Sequence, residues 1–177
     1  MSAENGILKG APNDTVAEAV SAAVVELFYR DAYLFRVDAN ERSITHHLAA
    51  YLAPRFPDWH VDCEYNRDGF DPKMVPLHGD TGDPDTTDGS RIYPDIIIHR
   101  RGKSENLLVI EAKKSTSRRS DEADQRKLRA LRGSLGYQYS LFLRFGCRNT
   151  VPTVECVRWA SGPSVHSARH GSGAAPA

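Results

Sequence analysis

Asp95, Glu111 and Lys113 are the residues of this chain whose types and spacing best suit chemistry. They flank two short apolar runs, 96–98 and 107–110, which are separated by a polar segment carrying Gly102 and Ser104. Two such runs about a short polar turn predict a β-hairpin. With the turn centred on Lys103, Ile97 faces Val109, Asp95 faces Glu111 and Tyr93 faces Lys113. Strand alternation then puts Asp95, Glu111 and Lys113 on one face, together with Ile97 and Val109. Directly opposed residues on antiparallel strands have Cβ atoms about 4.5–5.5 Å apart. Two carboxylates that close repel one another unless one takes up a proton or a cation lies between them. A hard divalent ion meets that need, and Mg²⁺ typically uses one or two carboxylates plus water and substrate phosphate. With the Lys113 ammonium beside the pair, the set suits metal-assisted attack of water on a phosphodiester. The alternative is a surface hairpin with solvated charge at its strand ends.

These residues need a sheet and helices to hold them. Residues 15–35 repeat apolar side chains at Val16, Val20, Ala23, Val24, Leu27 and Phe28, a helical stripe for packing or, alternatively, for a dimer interface. A second helix starts between 38 and 41 and runs to about 52, with Ile44, Leu48, Tyr51 and Leu52 along one side. Glu41 extends that stripe, and a carboxylate facing a packed surface needs a partner. In the other reading residues 38–41 form a capping box and Glu41 serves only backbone amides. His46 and His47 are adjacent, so they cannot form the i, i+4 pair of a helical zinc site. Residues 59–65 alternate as a strand, with Trp59, Val61, Cys63 and Tyr65 on one face and His60, Asp62 and Glu64 on the other. Glu64 is thus a second-rank candidate beside the site, or a residue of a solvated edge.

Charge is segregated along the chain. From 62 to 88, eight acids stand against two bases in a segment rich in Gly and Pro, which reads as a long solvated loop or as a flap over the site. From 113 to 132 the balance reverses, with eight bases against three acids. Ser120 can cap a helix running to Gly133, with acids in its first turn and bases later, as the helix dipole favours. Leu128 and Leu131 face inward. Lys114, Arg118, Arg119, Arg126 and Lys127 then form either an ordinary solvated surface or one that holds a phosphate backbone near the acids. Residues 136–145 alternate as a strand beside the hairpin, and 151–159 supply one more.

With 177 residues, 40% of them hydrophobic and 26% charged, the chain fits one domain with a usable core. The expected division is a flexible leader at 1–14, a single domain over 15–160 and a disordered tail at 161–177. No apolar stretch is long enough to cross a bilayer and no signal-peptide layout opens the chain, so a cytoplasmic location is expected. Cys63, Cys147 and Cys156 are widely spaced and suggest neither a disulfide framework nor a zinc knuckle. Lys+Arg 23 balance Asp+Glu 23, so any nucleic-acid surface must come from local asymmetry.

Pro94-Asp95, a spacer, and then Glu111-Ala112-Lys113 resemble the signature of the PD-(D/E)XK, or restriction-endonuclease-like, nuclease superfamily. The resemblance covers residues 40–145. It implies an α/β fold with an αβββαβ core, a mixed central sheet flanked by helices, and the predicted element order agrees. It further implies Mg²⁺-dependent hydrolysis of a nucleic-acid backbone, with Mn²⁺ as a substitute ion and DNA endonuclease action as the leading expectation. Asp95, Glu111 and Lys113 take the family's functional positions. Asp95 and Glu111 would bind the metal, the backbone carbonyl of Ala112 would add a ligand, and Lys113 would orient or help deprotonate the attacking water. In the family a glutamate from the helix before the sheet often completes the metal site, which makes Glu41 the candidate here. Some exonuclease branches carry Gln-x-x-x-Tyr near the last core strand; here Gln138 adjoins Tyr139, which weakens that assignment. Two alternatives stand beside this reading. One is a catalytically silent nucleic-acid-binding or assembly module on the same scaffold, and the other a dimeric junction resolvase. Expected partners are nucleic acid, foremost DNA, and a homodimer or larger complex, with no membrane.

Overall fold

The unbroken run Leu107-Leu108-Val109-Ile110 has no polar face to turn toward water, so the strand that holds it must be covered on both sides. That requirement is met by a mixed sheet with helices on either face. The computed structural model describes residues 14–65 and 93–161, residue 11, and four two-residue strands at 67–68, 71–72, 74–75 and 90–91. The leader, most of the acidic loop and the tail expected from the sequence lie outside the described residues.

The elements are α1 (Asp14–Arg36), α2 (Glu41–Leu52), β1 (His60–Cys63), β2 (Ile96–Arg100), β3 (Glu105–Lys114), α3 (Asp121–Leu135), β4 (Tyr139–Gly146) and β5 (Thr153–Ser161). The main sheet has the order β1-β2-β3-β4-β5. Only β3 and β4 run parallel, and α3 makes the crossover between them. This is an α/β protein with the predicted order of elements. The hairpin register is also as predicted, with Ile97 opposite Val109; a bulge between Ile98 and His99 lies nearer the turn.

Alternation along the strands divides the core in two. Ile96, Ile98, Leu108, Ile110, Leu141, Leu143 and Phe145 pack against Val20, Val24, Leu27, Ile44, Leu48 and Leu52 of α1 and α2. On the other face Ile97, Val109 and Phe142 meet Leu128, Leu131 and Tyr137 under α3. Ser120 caps α3 by accepting from the Glu122 amide, and Gly136, with φ 66, ends it in the left-handed conformation. The helix therefore runs past Gly133, where the sequence predicted its end. At the far end of α3, Asn106 Nδ2 donates to the Leu135 carbonyl at 2.7 Å, tying the helix to the start of β3.

One predicted strand is shorter than expected. Glu64 adopts φ 48, which turns the chain and breaks the alternation after Cys63. Asp62 therefore stays over the α3 face, bonded to His99 at 2.8 Å, while Glu64 departs toward α2. Among the described residues no helix is long and apolar enough to cross a membrane.

Phe142 is fully buried at the contact between the sheet and α3, whereas Tyr29 on α1 is 87% exposed. Phe142→Ala should cost about 3–5 kcal/mol of unfolding free energy in urea titration, because it removes packed contacts and leaves a cavity. Tyr29→Ala should stay within about 0.5 kcal/mol of wild type in the same measurement.

Candidate active site at the open edge of the central strand

β3 outruns its antiparallel neighbour. β2 begins at Ile96, opposite Ile110, because Pro94 has no amide with which to extend the ladder. From Glu111 to Lys114, β3 keeps only β4 as a partner, and its other edge presents backbone amides that need acceptors. Carboxylates supply them. Asp95 Oδ2 accepts from the Ala112 amide at 2.8 Å, and Glu41 Oε2 accepts from the Lys114 amide at 3.1 Å. Glu111 Oε1 reaches back to the Asp95 amide at 3.3 Å, so Asp95 and Glu111 clasp each other's strands. The predicted proximity of these two acids is present, by reciprocal side chain to backbone bonds rather than as a facing pair within the strand ladder.

Glu111 projects onto the α3 face and is 3% exposed. Lys127 Nζ lies 2.8 Å from its carboxylate and also donates to the Tyr93 carbonyl at 2.5 Å. Lys113, two residues on, is 4% exposed and goes elsewhere. Its Nζ is 2.5 Å from Asp124 and 2.9 Å from the Ser120 carbonyl, with Asp121 at 3.9 Å. The expected convergence of Lys113 on the two acids is therefore corrected. Acids in the first turn of α3 offer it closer anionic partners, and it anchors that helix while Lys127 attends Glu111.

Glu41 is not part of a capping box. Asn40 is the N-cap of α2, accepting from the Ser43 amide at 2.8 Å, which leaves Glu41 free to reach β3. Asp38, with φ 55, accepts from Lys114 Nζ and from the Thr116 hydroxyl, both at 2.8 Å, and pairs with Arg148 at 2.9 Å. These donors, Lys114 first, hold the Asp38 carboxyl down at about 2. Lys114 also donates to the Ala39 carbonyl at 2.8 Å. Its ammonium is thus turned inward, and the expectation that it binds nucleic acid is corrected. Arg118, Arg119 and Arg126 are exposed, whereas Lys127 is drawn into its pair with Glu111.

Glu41, Arg42, Thr45, Glu64, Tyr93 and Asp95 line a cavity of 340 Å³. Glu64 pairs with Arg42 at 2.7 Å on its rim. Three candidate acids, Glu41, Glu64 and Asp95, thus border one space, with Glu111 bonded to the backbone of Asp95. Burial pushes the Asp95 carboxyl up to about 6, against the pull of the Ala112 amide and Lys127. Burial, and then the Asp95 charge, push Glu111 up to about 8, with Lys127 opposing.

Among the described residues no group of three His, Cys, Asp or Glu side chains is arranged to hold a metal by itself. Mg²⁺ does not require one, since one or two carboxylates suffice when water and phosphate complete its shell. The paired hard oxygens of Asp95 and Glu111, each raised by proximity to the other or by burial, fit such an ion. The Ala112 amide points at Asp95, and a residue's carbonyl in an extended strand faces the same edge as its amide, so that carbonyl is turned toward the same place. Comparison of the chain with known protein families, with curated proteins and with solved structures finds no match.

Asp124 is a site residue to which the sequence assigned no part, and Lys127, expected among the phosphate-holding bases, instead pairs with Glu111. Their signal is spacing: Asp124, Lys127, Leu128 and Leu131 recur at helical intervals, so both charges belong to the inward stripe of α3.

Both carboxyls titrate above their ordinary values, so the folded chain binds protons that the unfolded chain releases. The stability this confers is complete below about pH 4 and is lost as pH rises through about 6 and then about 8. Urea unfolding in EDTA should therefore show stability declining between about pH 5 and 8, and Glu111→Gln should flatten the upper part of that decline. An unchanged slope in the variant would show that Glu111 is not the group responsible.

Proposed function

We propose that this chain hydrolyses phosphodiester bonds of nucleic acid with the help of a divalent cation, most simply as a DNA endonuclease on a restriction-endonuclease-like core. The observation that carries this reading is the Asp95–Glu111 clasp, in which Asp95, a residue of the cavity wall, accepts from the Ala112 amide at 2.8 Å while Glu111 accepts from the Asp95 amide at 3.3 Å. The order of helices and strands, with α3 crossing between parallel β3 and β4, supports the assignment of the core. Mg²⁺, or Mn²⁺ in its place, would be held by Asp95 and Glu111, with Glu41 and the Ala112 carbonyl nearby. When bound it supplies Lewis acidity and a stronger water nucleophile at neutral pH.

The chain's own residues do the rest. Asp95, with its carboxyl near 6, can exchange a proton close to neutrality. The rim guanidinium of Arg42, 82% exposed, is available to a phosphate once Glu64 releases it. Arg118, Arg119 and Arg126 give an exposed basic approach from the α3 side, which a chain of zero net charge needs in order to hold a polyanion.

Lys113 favours a second reading. An ammonium locked to Asp124 and the Ser120 carbonyl suits a catalytically silent nucleic-acid-binding module. The exposed stripe of Val25, Tyr29, Tyr33 and Val37 along α1 and its C-terminal end is what favours a dimeric junction resolvase.

Linear, supercoiled, single-stranded and branched DNA, and RNA, should be incubated with the chain in Mg²⁺, Mn²⁺ or EDTA. Cleavage in either ion, absent in EDTA and reduced at least about a hundredfold by Asp95→Asn, is the expected outcome. Binding without cleavage in every ion would instead establish the silent module.

A further inference from the structure

The sequence assigned the lysine of the acid-x-lysine triplet to the acid pair, but the ammonium that meets the pair comes from α3. Lys127 Nζ bridges the Glu111 carboxylate at 2.8 Å and the Tyr93 carbonyl at 2.5 Å. We propose that Lys127 is the resident counter-ion of the Asp95–Glu111 pair, competing with a divalent cation for Glu111 and released by it toward the substrate phosphate. This rests on the reading of the pair as a cation centre.

Two carboxylates placed this close inside a protein require a proton or positive charge between them, and an uncompensated buried charge is strongly destabilising. In the resting arrangement Lys127 meets that requirement from one side, and a bound cation would meet it from the other. The two lysines differ in their freedom to move. Lys113 is 5% exposed along its side chain and is fixed by a carboxylate and a carbonyl at the start of α3. The side chain of Lys127 is 22% exposed, and its flexible four-carbon stem carries a compact charge that can move without disturbing the helix. Tyr93, whose carbonyl it holds, lines the same cavity as Asp95. An ammonium displaced from Glu111 can therefore stay on the carbonyl of a residue that lines the cavity. The contact of Lys113 with Asp124, one turn before Lys127 on α3, fixes the helix from which Lys127 acts. Lys113 is a positioning residue in this arrangement.

The test is calorimetric titration of the full chain with Mn²⁺, alongside cleavage assays. Lys127→Met should bind Mn²⁺ roughly tenfold more tightly than wild type, because the competing charge-assisted bond is gone. Its cleavage should nevertheless fall at least about a hundredfold. Lys127→Arg should keep near-wild-type affinity, and Lys113→Met should bind no more tightly than wild type. Unchanged or weaker binding by Lys127→Met, with wild-type binding still abolished by Glu111→Gln, would overturn the proposal while leaving the cation centre standing. Wild-type binding that is absent or survives Glu111→Gln would remove the centre itself, and this inference with it. Should Lys127→Met fail to fold, lysine ¹³Cε signals of the wild-type chain decide. Mg²⁺ should shift the Lys127 signal and leave that of Lys113 in place; an unmoved Lys127 would overturn the proposal.

Discussion

The site depends on how the free edge of one strand is satisfied. β3 passes beyond β2 by four residues, and the amides along that edge would be left without acceptors. Carboxylates accept from them: Asp95 from Ala112 and Glu41 from Lys114, while Glu111 accepts from Asp95 in return. A buried amide without a partner is costly, so these acids are held in place by the same need that shapes any sheet edge. The consequence is electrostatic. Meeting the backbone's requirement brings carboxyl groups together at one point, where Lys127 and a raised proton affinity offset their charge.

Around this point the chain distributes its bases by task. Lys114 reaches away from the edge to Asp38 and the Ala39 carbonyl, joining β3 to the α1–α2 connection. Lys113 pins the start of α3, and Arg144 on the neighbouring strand also bonds Asp121 there. Lys127 alone of these faces Glu111. Two of these lysines are thus structural locks, while the third pairs with a carboxylate of the site. Arg118, Arg119 and Arg126 stay exposed.

Much of the fold was legible because its physics is local. The apolar runs on either side of Gly102 gave the hairpin, and centring its turn on Lys103 gave the pairing of Ile97 with Val109, since loop length fixes which residues face each other. Ser120 marked the start of α3 because its hydroxyl caps the helix. The misreadings arose where tertiary partners decided. Glu64 left the predicted polar face because its backbone turns at φ 48, a conformation that alternation does not foresee. Of the two readings of Glu41, by contrast, the one that gave its carboxylate a partner holds: Asn40 caps α2, and Glu41 reaches across to β3. Strand parity put Lys113 on the same face as Glu111, but parity does not say which anion along that face is nearest. Asp124, eleven residues later, is.

Asp95 and Glu111 are proposed to share a divalent cation. Crystals of the full chain soaked in Mn²⁺ test it most directly through anomalous scattering. The expected result is a peak within bonding distance of both carboxylates, with Lys127 Nζ moved off Glu111. Well-diffracting crystals that show no peak there, or one only at other surface acids, with Lys127 still on Glu111, would contradict it.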